Sequence, residues 1–184
     1  MSSSHAGSLC TQCGLCCDGT LFGRVELLPA DDVDGLKAEG FRIVARSKPR
    51  FLQPCPALGA DYTCRIYAQR PQQCRAFDCA LLLRVRSGDV GDAAAERTIR
   101  RTRKQAAKVR QLLEALGDRS GRLPLSQRFS RLRRRIETEA EVDREGSEER
   151  WELFAELTLA VHELQRQLRQ EFYPSAGDSA LPAE

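Results

Sequence analysis

Cys10-Thr11-Gln12-Cys13-Gly14-Leu15-Cys16-Cys17 is the stretch on which the reading of this chain turns. Two-residue spacers let a tight turn aim successive thiolates at one centre, and Gly14 relieves the backbone where such a turn needs positive φ. A structural zinc site and an iron–sulfur cluster both accept this spacing, and the first three cysteines match the opening of a bacterial ferredoxin run. Cys17 departs from that pattern. Adjacent side chains on extended backbone point in different directions, so either Cys16 and Cys17 serve different metals or one of them is a free reactive thiol.

Working outward, the other four cysteines follow within 62 residues, as Cys55 between Pro54 and Pro56, then Cys64, Cys74 and Cys79. Eight thiols supply two four-cysteine sites, or one cluster with thiols left over. Ile66 and Tyr67 are expected to open a short helix that anchors this loop by burying two bulky groups. Arg70 and Arg75 stand beside the thiols, where positive charge favours deprotonated sulfur. The first eight residues lack the basic and apolar regions of a secretory signal, and no apolar run reaches the roughly 18 residues of a membrane span. The expected location is therefore the cytoplasm, with no membrane association. In that reducing compartment the thiols read as ligands for zinc or an iron–sulfur cluster rather than as a disulfide framework.

Residues 10–79 resemble the YkgJ-type CxxCxxCC cysteine-cluster proteins, a family described as zinc- or iron-chelating. The resemblance rests on Cys10, Cys13, Cys16 and Cys17, on Pro54-Cys55, and on Cys64, Ile66-Tyr67, Arg70-Pro71, Cys74-Arg75, Phe77 and Cys79. It implies metal binding without supplying a reaction. A similar motif in bacterial flagellin lysine methylases implies that such a module can serve methyl transfer. Residues 85–184, however, contain no Gly-rich strand-to-helix turn that would mark a methyl-donor site, and no catalytic residues are legible.

The remaining sequence reads as helices. From Asp92, taken as an N-cap, Ile99, Thr102, Ala106, Val109, Leu113 and Leu116 recur on one helical face, and Gly117 is a natural stop. A shorter helix carries Leu125, Phe129, Leu132 and Ile136. A third, from near Ser147, carries Trp151, Phe154, Leu157, Val161, Leu164, Leu168 and Phe172. Within the cysteine-rich part, Gly19–Leu27 and Phe41–Val44 suggest strands, and Pro29–Leu36 the opening of a short helix. The expected fold is α-rich: a small irregular cysteine-cluster metal domain at 9–84, with short helices and a short β-hairpin, followed by a helical hairpin or bundle at 92–173. Residues 1–8 and 174–184 are expected to be disordered tails.

Charge divides the chain: residues 97–135 carry 14 basic and 2 acidic side chains, residues 137–184 carry 4 and 13. The favoured reading pairs the basic helix with Glu148, Glu149, Glu152, Glu156 and Glu163. The alternative is nucleic-acid binding through phosphate contacts, which the scarcity of interleaved aromatics disfavours. His162 reads as a helix-surface residue and His5 as a less favoured ligand. Asp31, Asp32 and Asp34 read as a charged helix start rather than a hard-metal site. The function classes left open are a metal-binding protein of redox, metal-handling or modification pathways, a cluster-bearing subunit of a transfer enzyme such as a protein methylase, and a zinc-stapled adaptor for protein or nucleic acid.

Overall fold

The computed structural model describes residues 5–45, 48–142 and 148–174, without the side chains of 5–8 and 140–142. The His5 side chain, residues 1–4 and residues 175–184 lie outside the described residues. Seven helices and three short strands follow in the order α1 (His5–Cys13), β1 (Arg24–Glu26), α2 (Val33–Ala38), β2 (Ile43–Val44), β3 (Arg50–Leu52), α3 (Gln72–Ala76), α4 (Ala80–Ser87), α5 (Asp92–Ala115), α6 (Leu125–Val142) and α7 (Glu148–Glu171). The fold is α-rich, as the sequence suggested, with one small antiparallel sheet of order β1-β3-β2. None of the helices among the described residues is long and apolar enough to cross a membrane.

The long helices form because their apolar residues recur at helical spacing and need a partner face. Ile99, Thr102, Ala106, Val109, Leu113 and Leu116 are all buried, against Leu157, Val161, Leu164, Leu168 and Phe172. Cross-contacts run in opposite senses along α5 and α7: Arg101 meets Glu171, Thr102 meets Gln167, Gln105 meets Ala160 and Lys108 meets Glu156. The pair is therefore antiparallel. The buried amide of Gln167 donates to Thr102 Oγ1 at 2.7 Å, and that hydroxyl donates to the Thr98 carbonyl at 2.8 Å, so the polar groups inside the seam are satisfied.

Several details differ from expectation. Gly91 is the N-cap of α5 and Asp92 its first residue, where its carboxylate complements the helix dipole. α2 starts at Val33 rather than near Pro29, because the Asp32 side chain caps it by accepting from the Gly35 amide. Trp151 is 42% exposed, since the stripe of α7 buries only from Phe154 onward. The expected acidic pairing is narrower: Glu156 binds Lys108, but Glu163 is taken by Arg166 on its own helix. Strand β3 and helices α1 and α4 were not foreseen.

The turn from α5 to α6 depends on a buried ion pair. Arg128 Nε donates to Asp118 Oδ2 at 2.6 Å, and the two side chains are only 5% and 7% exposed. Burial alone would raise the Asp118 carboxyl, but hydrogen bonds from Arg128 and Ser120 outweigh it and hold it below the usual carboxylate range. A depressed carboxylate contributes stability above its unfolded pKa and loses it as pH falls through the folded value. Asp118→Asn strands a buried guanidinium and is expected to cost about 3–5 kcal/mol at neutral pH. Urea titrations should show the gap between wild type and variant closing as pH falls below about 4.

Candidate metal centre

The eight cysteines reach one place by three routes. Cys10 and Cys13 stand one turn apart at the end of α1. Gly14, at φ +68°, then reverses the chain, and its carbonyl accepts from the amides of both Cys17 and Asp18 at 2.9 Å. This tight turn carries Cys16 and Cys17. The second segment is sewn to the first where the Cys55 amide donates to the Cys17 carbonyl at 2.7 Å and Gln53 Nε2 donates to the Cys16 carbonyl at 3.1 Å. A Leu58–Cys64 bridge closes the loop between Cys55 and Cys64. Gln73 on α3 accepts from the Glu26 amide of β1 and so fixes neighbouring Cys74, while Cys79 is the N-cap of α4.

All eight cysteines line a single cavity of about 750 Å³. Cys13, Cys16 and Cys79 pack against the helical core, whereas Cys55, Cys64 and Cys74 pack against a separate small core under the sheet, formed by Val25, Leu27, Leu36, Phe41, Phe51, Ala57 and Ile66. The same grouping recurs in the charge interactions among the thiols, with crossings at Cys10, Cys16 and Cys17. Burial is the main force raising them, taking Cys13 and Cys74 up to about 12 and Cys55 up to about 11, with Cys10, Cys16, Cys17 and Cys79 also raised. Like charge adds to this within sets. Cys13 feels Cys79 and Cys10, and Cys16 feels Cys13, Cys79 and Cys10; Cys17 feels Cys55, Cys74 and Cys64, and Cys74 feels Cys55 and Cys64. The sets touch through Cys16 with Cys17 and through Cys10 with Cys17.

Fixed dipoles oppose the burial. Backbone amides of Leu15 serve Cys13, those of Ala57 and Leu58 serve Cys55, and those of Leu81 and Leu82 serve Cys79. Such donors stabilise sulfur as thiolate, the form that binds metal. Soft donors, amide dipoles and a roomy cavity fit a thiolate-held metal group. Among the described residues no three Cys, His, Asp or Glu side chains converge closely enough to hold a single ion. His162 is exposed on α7.

One sequence expectation needs correction here. Tyr67 is 38% exposed in a 3₁₀ turn, because its ring lies under the Arg70 guanidinium instead of entering the core. Arg75 is exposed on α3. Reading the sequence missed Arg103 and Arg110, spaced by two helical turns on α5. Arg103 donates to the Cys13 carbonyl from Nε at 2.9 Å and from Nη2 at 2.7 Å, and its guanidinium lies 3.7 Å from the centre of the Tyr62 ring. Arg110 pairs with Asp18 at 2.7 Å and donates to Thr20.

A cavity walled by thiols and flanked by amide dipoles defines a metal-binding cysteine-cluster protein. Residues 9–109, more than half of the chain, match the family model "CxxCxxCC: Putative zinc- or iron-chelating domain", and the chain belongs to this family. Comparison with curated proteins and with solved structures finds no match.

Gly14 has no room for a side chain: a Cβ would come within 2.7 Å of Tyr62 Cδ1. Positive φ adds its own penalty, so Gly14→Ala is expected to cost about 1–3 kcal/mol. Because the same turn aims Cys16 and Cys17, metal content by elemental analysis should fall along with the unfolding midpoint.

Proposed function

We propose that this chain is an iron–sulfur protein with two clusters, one held by Cys10, Cys13, Cys16 and Cys79, the other by Cys17, Cys55, Cys64 and Cys74. The observation that carries the reading is that Cys13, Cys16 and Cys79 pack on one core and Cys55, Cys64 and Cys74 on another around one large cavity, Cys10 and Cys17 being assigned by the thiols they act on. A four-coordinate zinc ion needs its sulfurs about 2.3 Å from a common point, whereas a polynuclear cluster keeps them apart. Eight cysteines lining one 750 Å³ cavity suit the second arrangement better. When bound, such clusters take up and release single electrons.

The protein's own part is to hold, order and shield. Cys16 and Cys17 share a peptide bond, so their Cα atoms are 3.8 Å apart and the two clusters are neighbours. Phe22 and Phe77, stacked edge to face at 4.7 Å between ring centres, and Phe51 contribute apolar wall. Eight unpaired cysteines fit a reducing cytoplasmic setting. Residues 9–84 serve as the metal unit and 92–173 as its helical support. The partner is a protein that donates or accepts electrons. Nucleic acid is disfavoured because Arg101, Arg103, Lys108, Arg110 and Arg128 are already engaged within the chain.

Anaerobically purified protein should contain iron and acid-labile sulfide sufficient for two clusters, absorb visible light and give spin-resonance signals on reduction. Cys16→Ser and Cys17→Ser should each remove one cluster and leave the other, although they alter adjacent residues. Two equivalents of zinc in place of iron and sulfide would overturn the iron–sulfur reading. Loss of both clusters from each variant would overturn the sorting.

A further inference from the structure

Arg70 occupies a position that no pairing of cysteines explains. Its Nε donates to the Tyr67 carbonyl at 3.0 Å, and its guanidinium carbon sits 3.6 Å from the centre of the Tyr67 ring. Those two contacts fix the direction of a long side chain that otherwise samples many rotamers. So fixed, it lines the cysteine cavity and acts by charge on Cys10, a member of the first set. It also acts by charge on Cys74, a member of the second. Asp78, which acts on Cys10 with the opposite sign, is itself bound by Arg86.

We infer that Arg70 is a positioning residue shared by both metal centres, its permanent positive charge holding the two neighbouring anionic clusters together and setting both of their reduction potentials. Thiolate-ligated clusters carry net negative charge that grows on reduction, and two of them side by side repel. A guanidinium never loses its proton in a protein, so its charge stays constant through the redox cycle. On the wall of the cavity that both sets line, it favours the reduced state of each and offsets their mutual repulsion. Lys would retain the charge while losing the planar stack on Tyr67, and Gln would lose the charge.

This inference rests on the two-cluster reading, and the experiment separates their failures. Full-length wild type, Arg70→Gln, Arg70→Lys and the remote charge control Arg131→Gln are reconstituted anaerobically with ferrous iron and sulfide. Their midpoint potentials are then read by spin resonance during a redox titration. In wild type and Arg131→Gln two one-electron centres should titrate at unchanged potentials. In Arg70→Gln both should move to more negative potential, each by roughly the 59 mV that corresponds to a tenfold change in a one-electron equilibrium. Arg70→Lys should recover most of the shift. Cluster uptake lost in Arg70→Gln and kept in Arg70→Lys would support the same role of charge. Movement of one centre only, movement of neither, or loss of clusters from Arg70→Gln and Arg70→Lys alike would overturn the inference. Wild type lacking two titrating centres would overturn the two-cluster reading and this inference with it.

Discussion

Arg103 joins three parts of the chain that are distant in sequence. It sits on α5, caps the last carbonyl of α1 at Cys13, and covers the ring of Tyr62 from the loop before Cys64. The charge is well placed, since the C-terminal end of a helix carries partial negative charge and unsatisfied carbonyls. Tyr62 in turn packs on Gly14, where no side chain would fit. The order α5, Arg103, Tyr62, Gly14 therefore sets the distance between the helical layer and both cysteine segments. Arg110 repeats the attachment two turns along at Asp18, immediately after Cys17. Together the two arginines grip the CxxCxxCC turn at both ends.

That grip matters because the cysteine region has little else to hold it. The core under the sheet contains seven buried apolar residues, and the strands above it are two or three residues long. A region of this size buries too little surface to be stable alone. Burial, moreover, raises Cys13, Cys55 and Cys74, so a proton must leave each before its sulfur can bind metal. Metal binding displaces those protons, and its free energy then becomes folding free energy. The apolar helical core thus supports the turn from the side opposite the cysteine cavity.

The helical half was legible because it obeys one rule. The stripe from Ile99 to Leu116 repeats every three to four residues and buries fully, and Gly117 ends it at φ +81°. The cysteine half obeys no single period. β3 is only Arg50-Phe51-Leu52, hemmed by Pro49 and Pro54, and it becomes a central strand through pairing with segments on both sides. α1 was hidden because its first residues are small and polar, and α4 because Cys79 was read only as a ligand and not as a helix cap. The eight cysteines were legible as one set from composition and spacing. That Cys13, Cys16 and Cys79 pack on one core and Cys55, Cys64 and Cys74 on another was not, since it depends on the tertiary fold. Arg103 and Arg110 were hidden in a different way: in a run of 14 basic residues, nothing in the sequence marks the two that turn inward.

The extent of the family match makes sense on the same physical grounds. It continues past the last cysteine at Cys79 and ends at Val109, inside α5. By sequence pattern the cysteine unit ends near residue 84, before α5 starts. In three dimensions, however, the first half of α5 is the floor of the site: Ala95 and Ile99 are buried in the core that backs Cys13, Cys16 and Cys79, and Arg103 holds the Cys13 carbonyl. Beyond Val109, α5 turns to support α6 through the Asp118–Arg128 pair, while α7 covers its length and presents the Phe172 carbonyl to the amide of Ala80, next to Cys79. The cysteine segments and the helical extension are thus packed together through α5, whose Ile99 lines the cysteine cavity.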